Sequence, residues 1–143
     1  AASAVVVYKS IDPRIEVIGV QAEGAPSVYL SLKECRITST GYAKTIAEGL
    51  ATSRTYEYSF NILKGKIDDV VLVSDEEILK AIKLLLDTVG QVAEPAGAAS
   101  LAAALKLKDR LKNKNVVLMI TGGNIEPQLL ESAIRDAKSA TPD

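Results

Sequence analysis

Three short, continuous apolar runs constrain the fold of this chain more than any other feature. They occupy residues 16–20, 70–73 and 116–120. Since apolar and polar residues do not alternate within them, both faces of each run are expected to be buried, as in the strands of a parallel sheet. Helical patterns separate the runs, which predicts an α/β fold with right-handed crossovers. Because three strands make a narrow sheet with open edges, we expect this sheet to be part of a larger one.

The clearest helix is predicted after Ser74. Ser74 and Glu77 form a capping-box pattern, in which each side chain satisfies a free backbone N–H at the helix start. The apolar side chains that follow recur at the helical spacing. They are Ile78, Ala81, Ile82, Leu85, Leu86 and Val89. The pattern predicts a helix with one buried stripe.

Further helices are predicted around this one. One runs from Pro95 towards Leu107, and its start at 96–100 has so little side-chain bulk that something is expected to approach its backbone closely. A last helix begins near Pro127. Its inward-facing residues are predicted to be Leu129, Leu130, Ala133, Ile134 and Ala137. Shorter helices are predicted over 27–34 and 56–64. Residues 1–7 resemble the end of a helix that begins elsewhere, and 139–143 a flexible tail.

The composition excludes several functional classes. The 143 residues suit one domain, and 17 basic against 18 acidic residues leave a net charge of -1, which provides no attraction to nucleic acid or an anionic membrane. The apolar runs are too short to span a bilayer. Cys35 is the only cysteine, so no internal disulfide is possible and a cytoplasmic location is expected. The absence of histidine excludes Ser-His-Asp and Cys-His catalysis within the chain and argues against a zinc site.

Ligands of parallel sheets bind beyond the carboxyl ends of the strands, so the segment after each run is a candidate site. Thr121, Gly122, Gly123 and Asn124 follow the third run. The glycines would let a flat ligand approach the backbone, and the Thr121 hydroxyl could contact a ring nitrogen. From these four residues alone, we favour the alternative of a turn whose glycines serve conformation only.

Acidic residues provide weaker signals. Glu94 precedes the small-residue helix, where it could lie near a cofactor ring or could simply belong to the helix N-terminus, and both interpretations stay open. Glu23 is interpreted as a turn carboxylate. Five carboxylates around the second run could suggest a metal site, but acidic residues also favour a helix N-terminus, and we prefer that explanation. They are Asp68, Asp69, Asp75, Glu76 and Glu77.

Five segments, in this order, resemble the threonine dehydratase and serine racemase family of fold-type II pyridoxal-phosphate enzymes. They are residues 17–21, 45–49, 68–74, 94–98 and 121–125. The resemblance covers roughly residues 5–127, and its specificity comes from the order and spacing of motifs that are individually weak. It implies a three-layer parallel-sheet sandwich in which residues 1–143 are the C-terminal portion of the catalytic domain, part of the large domain.

The resemblance implies deamination of L-threonine to 2-oxobutanoate and ammonia, and of L-serine to pyruvate, with pyridoxal 5'-phosphate as cofactor. The residue matching Thr121 contacts the pyridine nitrogen in that family, and Gly122, Gly123 and Asn124 match the turn beside it. Gly49 and Glu94 match positions near the cofactor ring. The resemblance also implies a homo-oligomer, a small amino-acid substrate, and a place in isoleucine biosynthesis or threonine catabolism.

Departures from the family pattern are equally informative. The family's Schiff-base lysine and its phosphate-binding glycine loop lie N-terminal to the region matched here, and Lys44, Lys64 and Lys66 do not match that lysine. No catalytic residue is therefore assigned in this chain, and an N-terminal portion is the expected partner. Racemase relatives bind a divalent cation with carboxylates at positions that correspond here to about Gln21, Ala25 and Ser27, so no metal site is assigned.

Two functional alternatives remain from the sequence. The chain is either a dehydratase portion that works only with its N-terminal portion, or a non-catalytic α/β binding or structural domain that retains the family fold. A nucleotide-binding domain is disfavoured, because neither GxGxxG nor GxxxxGK[ST] is present.

Overall fold

Two of the three apolar runs form strands. The computed structural model describes residues 1–136, and in it β1 (Ile18–Ala22) and β2 (Asp69–Val73) pair as a two-stranded parallel sheet. Glu16 and Val17 precede β1, but Val17 still accepts a backbone hydrogen bond from the Asp68 N–H at 3.1 Å. The chain divides into two units, Ala1–Thr45 with Leu50–Leu72, and Ile46–Gly49 with Val73 onward.

The first unit contains three helices, α1 (Ala2–Ile11), α2 (Ser27–Lys33) and α3 (Glu57–Leu63). Helix α3 packs against both α1 and α2. The apolar core of this unit contains small residues and a few larger ones. Its fully or almost fully buried members are Val5, Ala22, Ala25, Phe60 and Leu63. The expected helices at 27–34 and 56–64 are present with bounds shifted by a few residues. Residues 2–7 are helical as expected, but they are not the end of the helix, because α1 continues to Ile11.

A buried hydroxyl network holds the loop after α2 in the first unit. The Ser31 hydroxyl donates to the Ser27 carbonyl at 2.7 Å, accepts from the Thr38 N–H at 2.9 Å, and contacts the Thr55 hydroxyl at 2.9 Å. The Ser27 hydroxyl donates to the Thr52 carbonyl at 3.1 Å. Because buried polar groups are costly when unpaired, these bonds hold Thr38, Thr52 and Thr55 against α2.

The second unit contains α4 (Asp75–Val89), α5 (Pro95–Lys106), α6 (Lys108–Leu111) and α7 (Pro127–Asp136). Helix α4 packs against α5 and α7. The predicted capping box is present, with Ser74 accepting from the Glu77 N–H at 3.1 Å and Glu77 accepting from the Ser74 N–H at 2.8 Å. Gly90 follows the last residue of α4 as its C-cap, and its left-handed backbone has φ of 66°.

The predicted apolar stripe of α4 is largely confirmed. Four of its residues are buried, namely Ile78, Ala81, Ile82 and Leu85. Leu86 is half-buried. Val89 is 70% exposed, contrary to the prediction, because it is the last helical residue and lies beyond the packed turns. On α7, Ala133 is buried while Leu129, Leu130 and Ile134 are half-buried; Ala137 and the tail 139–143 lie outside the described residues.

The predicted strand at 116–120 is wrong for this structure. The segment has no regular secondary structure, and each of its five side chains is at least 37% exposed, Val117 reaching 79%. Its backbone N–H groups donate no hydrogen bond to any residue between 1 and 136. A strand requires a hydrogen-bonded neighbour, so an apolar sequence alone does not make one. We call residues 116–120 the open segment.

No helix within the described part of the chain combines the length and the apolar character needed to cross a bilayer.

Candidate functional site

The candidate site residues of the second unit meet at the N-terminus of α5. Glu94 is the N-cap residue of this helix, with extended backbone, and Pro95 occupies the first turn. The Glu94 N–H donates to the carbonyl of Gly122 at 3.0 Å. This bond ties the start of α5 to the turn 121–124.

A close backbone contact at Gly97 explains why α5 begins with small residues. A β-carbon there would lie 2.6 Å from the Gly122 carbonyl oxygen and 3.2 Å from the Gly122 nitrogen. Distances this short are incompatible with a side chain. The expectation that something approaches this helix backbone closely is confirmed, and the close neighbour is the backbone of the turn.

Gly122 lies against the Glu94 side chain. A β-carbon on Gly122 would lie 2.6 Å from Oε1 and 2.8 Å from Oε2 of Glu94. The half-buried Glu94 carboxylate therefore lies directly over the glycine Cα, and it accepts no hydrogen bond from any residue between 1 and 136. The carboxylate oxygens remain able to accept a hydrogen bond from a ligand.

Gly49 also reaches the start of α5. A β-carbon on Gly49 would lie 2.9 Å from the Ala96 Cβ, so a larger residue would displace one of the two backbones. The predicted loop at 45–49 contains a single 3-10 turn, Glu48–Leu50. The loop is anchored by the Ile46 N–H, which donates to the Asp75 carboxylate at 3.1 Å, and by the fully buried Ala47.

The other turn residues have different surroundings. A β-carbon on Gly123 would lie 2.9 Å from the Val92 carbonyl oxygen, so this glycine too is required by protein backbone. Thr121 and Asn124 are exposed. The Thr121 hydroxyl makes no hydrogen bond with another residue of the described range, which leaves it able to donate to or accept from a ligand.

One contact was not anticipated from the sequence. The Ser100 hydroxyl donates to the Met119 carbonyl at 3.0 Å and joins α5 to the open segment. In the sequence, the only indication of this contact was a serine within a run of alanines. The arrangement as a whole brings the acceptor carboxylate of Glu94 and the backbone of the turn that begins at Thr121 together at the start of α5, where a polar small molecule could find both hydrogen-bond donors and acceptors.

The remaining candidates do not join this group. Glu23 is exposed in the turn after β1. The positions considered for a cation are buried: the Gln21 Oε1 accepts from the Tyr29 N–H at 2.8 Å, Ala25 is fully buried, and Ser27 bonds Thr52. These positions are therefore engaged in internal packing.

The five carboxylates around β2 have separate protein partners. Asp68 pairs with Lys9 at 2.7 Å and accepts from the Val17 N–H at 2.7 Å. Glu76 pairs with Lys80 at 2.8 Å, and this ion pair lowers the pKa of Glu76. The other three bond backbone N–H groups: Asp69 that of Val70, Asp75 that of Ile46, and Glu77 that of Ser74. No group of three or more potential metal ligands occurs between residues 1 and 136.

Comparisons with known proteins give this site a context. A family model described as "Pyridoxal-phosphate dependent enzyme" matches residues 1–122. The L-threonine ammonia-lyase of Thermotoga maritima is 39% identical over 129 residues, which is 90% of this chain and 32% of that protein. The serine racemase of Schizosaccharomyces pombe is 39% identical over 114 residues, 80% of this chain and 35% of that protein.

Solved structures agree with these sequence relatives. The processed form of threonine deaminase isoform 2 from Solanum lycopersicum superposes with a TM-score of 0.85 at 33% identity, covering 92% of this chain and 39% of that one. The T.th. threonine deaminase superposes with a TM-score of 0.83 at 35% identity, covering 87% and 46%. The chain spans about a third of the length of the two curated relatives.

Proposed function

Because the chain belongs to the pyridoxal-phosphate-dependent enzyme family, with the expected fold-type II architecture, we propose that it supplies the ring-nitrogen side of a threonine/serine dehydratase site. The proposed reaction converts L-threonine to 2-oxobutanoate and ammonia, and L-serine to pyruvate. The observation that carries the proposal is the convergence of Thr121, Gly122 and Glu94 at the start of α5.

The residues present fit the ring side of pyridoxal phosphate. The exposed Thr121 hydroxyl, which has no partner within the described range, matches a pyridine nitrogen, since a hydroxyl can donate or accept. The cofactor, when bound, would supply an electron sink. The neutral Thr121 hydroxyl would hold the ring nitrogen without adding a negative charge beside it, which would favour β-elimination over other outcomes.

The other residues of the turn act by position. Glu94 and Gly122 lie in contact, and Gly97 admits the Gly122 backbone, so the direction of the turn is set by the helix. Gly49 packs on the same helix start at Ala96. We infer that Gly49, Glu94, Gly122, Gly123 and Asn124 shape the pocket wall, and that Thr121 makes the polar contact to the ring.

The Schiff-base lysine and the group that removes the α-proton are proposed to come from an N-terminal portion of the enzyme. The support for this partner is that the chain spans about a third of the length of relatives that are named as ammonia-lyases or racemases. Homo-oligomer formation, a cytoplasmic location, and a role in isoleucine biosynthesis or threonine catabolism are proposed with it, and the single cysteine agrees with the location.

Reconstitution tests the proposal. This chain is mixed with the N-terminal portion of the Thermotoga maritima relative, the part that precedes the matched region, together with pyridoxal phosphate, and 2-oxo acid release is measured from L-threonine and L-serine. We expect activity that neither polypeptide has alone. A folded, cofactor-containing complex without 2-oxo acid release would instead favour a non-catalytic α/β binding or structural domain.

Variants of Thr121 test its individual role. Thr121→Val removes the hydroxyl and is expected to lower kcat about ten-fold or more and to shift the absorbance of the bound cofactor. Thr121→Ser retains the hydroxyl and should stay near wild type. The matched control is Thr88→Val, since the Thr88 hydroxyl bonds the Leu84 carbonyl on the outer face of α4. Equal kcat and spectra in Thr121→Val and wild type would contradict the ring contact.

A further inference from the structure

We propose that Asp75 is a positioning residue of the proposed cofactor pocket, and that it acts through the loop Ile46–Gly49. This inference rests on the proposed function, because it concerns the pocket at the start of α5. It goes further by naming a residue outside the five motif segments, and by separating the part of the pocket that this residue controls from the part that holds the ring nitrogen.

The three carboxylates in the first turn of α4 make different contacts. Glu77 completes the capping box, and Glu76, whose side chain is 77% exposed, pairs with Lys80 on the same helix. Asp75 is half-buried, and its carboxylate accepts a hydrogen bond at 3.1 Å from the N–H of Ile46, a residue 29 positions earlier in the chain. A negative charge at a helix start is favourable for all three, so the bond to Ile46 is what sets Asp75 apart.

The loop Ile46–Gly49 connects this bond to the start of α5. The loop belongs to the second unit, as α4 and α5 do. Ala47 is fully buried, and a β-carbon on the exposed Gly49 would lie 2.9 Å from the Ala96 Cβ. Because three residue steps, about 10 Å at most, separate Ile46 from Gly49, the loop has little slack to absorb a displacement at Ile46.

The start of α5 lies against two separate backbone segments. Ala96 lies against the loop at Gly49, whereas Gly97 lies against the turn that carries Thr121. Asp75 holds the loop, so its loss should loosen one wall of the pocket while the turn stays in place. We therefore expect Asp75 to govern how tightly the cofactor is held, and to have little effect on the rate once the cofactor is bound.

Three variants separate the hydrogen bond from the charge. Asp75→Ala removes both the acceptor and the charge, whereas Asp75→Asn removes the charge and keeps a side-chain oxygen that can accept from the Ile46 N–H. Glu76→Ala is the matched control, because it removes a neighbouring charge from the same helix turn and breaks an exposed ion pair of little consequence. All three retain the capping box, so circular dichroism should show the helical content of wild type in each.

Amide hydrogen exchange tests the anchor in this chain alone. The Ile46 N–H should exchange about ten-fold faster or more in Asp75→Ala than in wild type, because its acceptor is gone. Asp75→Asn and Glu76→Ala should stay within about three-fold of wild type. An exchange rate that Asp75→Ala leaves unchanged, or that Glu76→Ala raises equally, overturns the anchor.

Cofactor affinity tests the consequence for the pocket. Binding of pyridoxal phosphate is followed by its absorbance in the complex of this chain with the N-terminal portion of the Thermotoga maritima relative. We expect Asp75→Ala to raise the dissociation constant about five-fold or more, while kcat at saturating cofactor changes less than about two-fold. Asp75→Asn should restore the affinity, and Glu76→Ala should bind the cofactor as wild type does.

The outcomes distinguish this inference from the proposed function. Equal dissociation constants in Asp75→Ala and wild type, or an equal rise in Glu76→Ala or Asp75→Asn, overturn the positioning role even where the wild-type complex releases 2-oxo acid. A kcat that falls as far as the affinity does overturns the separation of the loop from the turn. The expected order of affinities without 2-oxo acid release supports the role and contradicts the reaction. A wild-type complex that does not bind pyridoxal phosphate contradicts both.

Discussion

Gly97 and Gly122 approach each other so closely that a β-carbon on Gly97 would lie 2.6 Å from the Gly122 carbonyl oxygen. The contact joins a helix start to a turn that follows twenty-odd residues later in the chain. Because backbone, unlike the end of a side chain, cannot move aside locally, this contact holds the backbone of Gly122 and the adjacent Thr121 at the start of α5.

Gly97→Ala should therefore destabilise the protein. In an open helical position the same change would stabilise by up to about 1 kcal/mol, because alanine favours helix. Here the clash should reverse the sign and cost about 1–3 kcal/mol. Urea unfolding with a global fit measures it. Gly19→Ala is the control, because its closest neighbour is the end of the flexible Ile67 side chain at 3.0 Å, and it should cost less. A more stable Gly97→Ala protein would contradict the contact.

Ser31→Ala should destabilise the first unit by about 1–3 kcal/mol, since it leaves the Thr38 N–H and the Thr55 hydroxyl without their buried partner. Ser10→Ala is a matched control. Both hydroxyls donate to the carbonyl four residues earlier, but Ser10 is exposed. Thermal unfolding should show a lower Tm for Ser31→Ala and little change for Ser10→Ala. Equal shifts would mean that the buried network adds no stability.

Ser74→Ala should cost about 1 kcal/mol by removing the N-cap acceptor of α4. The reciprocal bond can be tested with Glu77→Gln, which retains an acceptor for the Ser74 N–H but loses the ion pair with Lys106 at 3.2 Å. Because that ion pair is partly exposed, Glu77→Gln should cost less than Ser74→Ala. Chemical denaturation of the two variants gives the order, and the reverse order would contradict the cap as the main contribution.

Asp12 should contribute to the acid dependence of stability. Hydrogen bonds from the Arg14 side chain and then from its backbone N–H hold the pKa of Asp12 below its ordinary value of 3.8. A lowered folded-state pKa means that the contribution is present above the unfolded pKa and is lost as the pH falls through the folded one. Asp12→Asn should therefore have a lower urea midpoint than wild type near neutral pH, and the difference should disappear well below pH 3.8. A difference that persists in acid would exclude this charge as the cause.

Local sequence signals predicted the helices well. Ser74 with Glu77, the apolar spacing from Ile78 to Leu85, and Pro95 in a first turn each act within one or two helical turns, so they are readable without a partner segment. The predicted burial of Val89 was wrong because a periodic pattern does not show at which turn the packing of a helix ends. The β-strand predicted for the open segment was wrong for a different reason: a strand forms only when a second segment, distant in sequence, pairs with it.

The sequence predicted which residues belong to the site but not how they contact one another. Thr121, Gly122, Gly123, Asn124, Glu94 and Gly49 were proposed from their motifs, and the structure brings Glu94, Gly97 and Gly122 into contact. The motifs did not show why glycine occupies each of these positions. Gly122 lies against the Glu94 carboxylate and Gly123 is required by the Val92 carbonyl, so the atoms close to both glycines belong to the protein itself.

The sequence by itself determined the α/β class, the helix starts and the family, because these depend on short-range periodicity, capping and ordered motifs. Only the tertiary structure decided which backbones touch and which apolar run has no paired strand among residues 1–136. Close approach of Gly97 to Gly122 and the exposure of Val117 are both consequences of packing between segments far apart in the chain. Such packing leaves no local pattern, because a glycine or a valine has the same sequence signature whether its neighbour is present or absent.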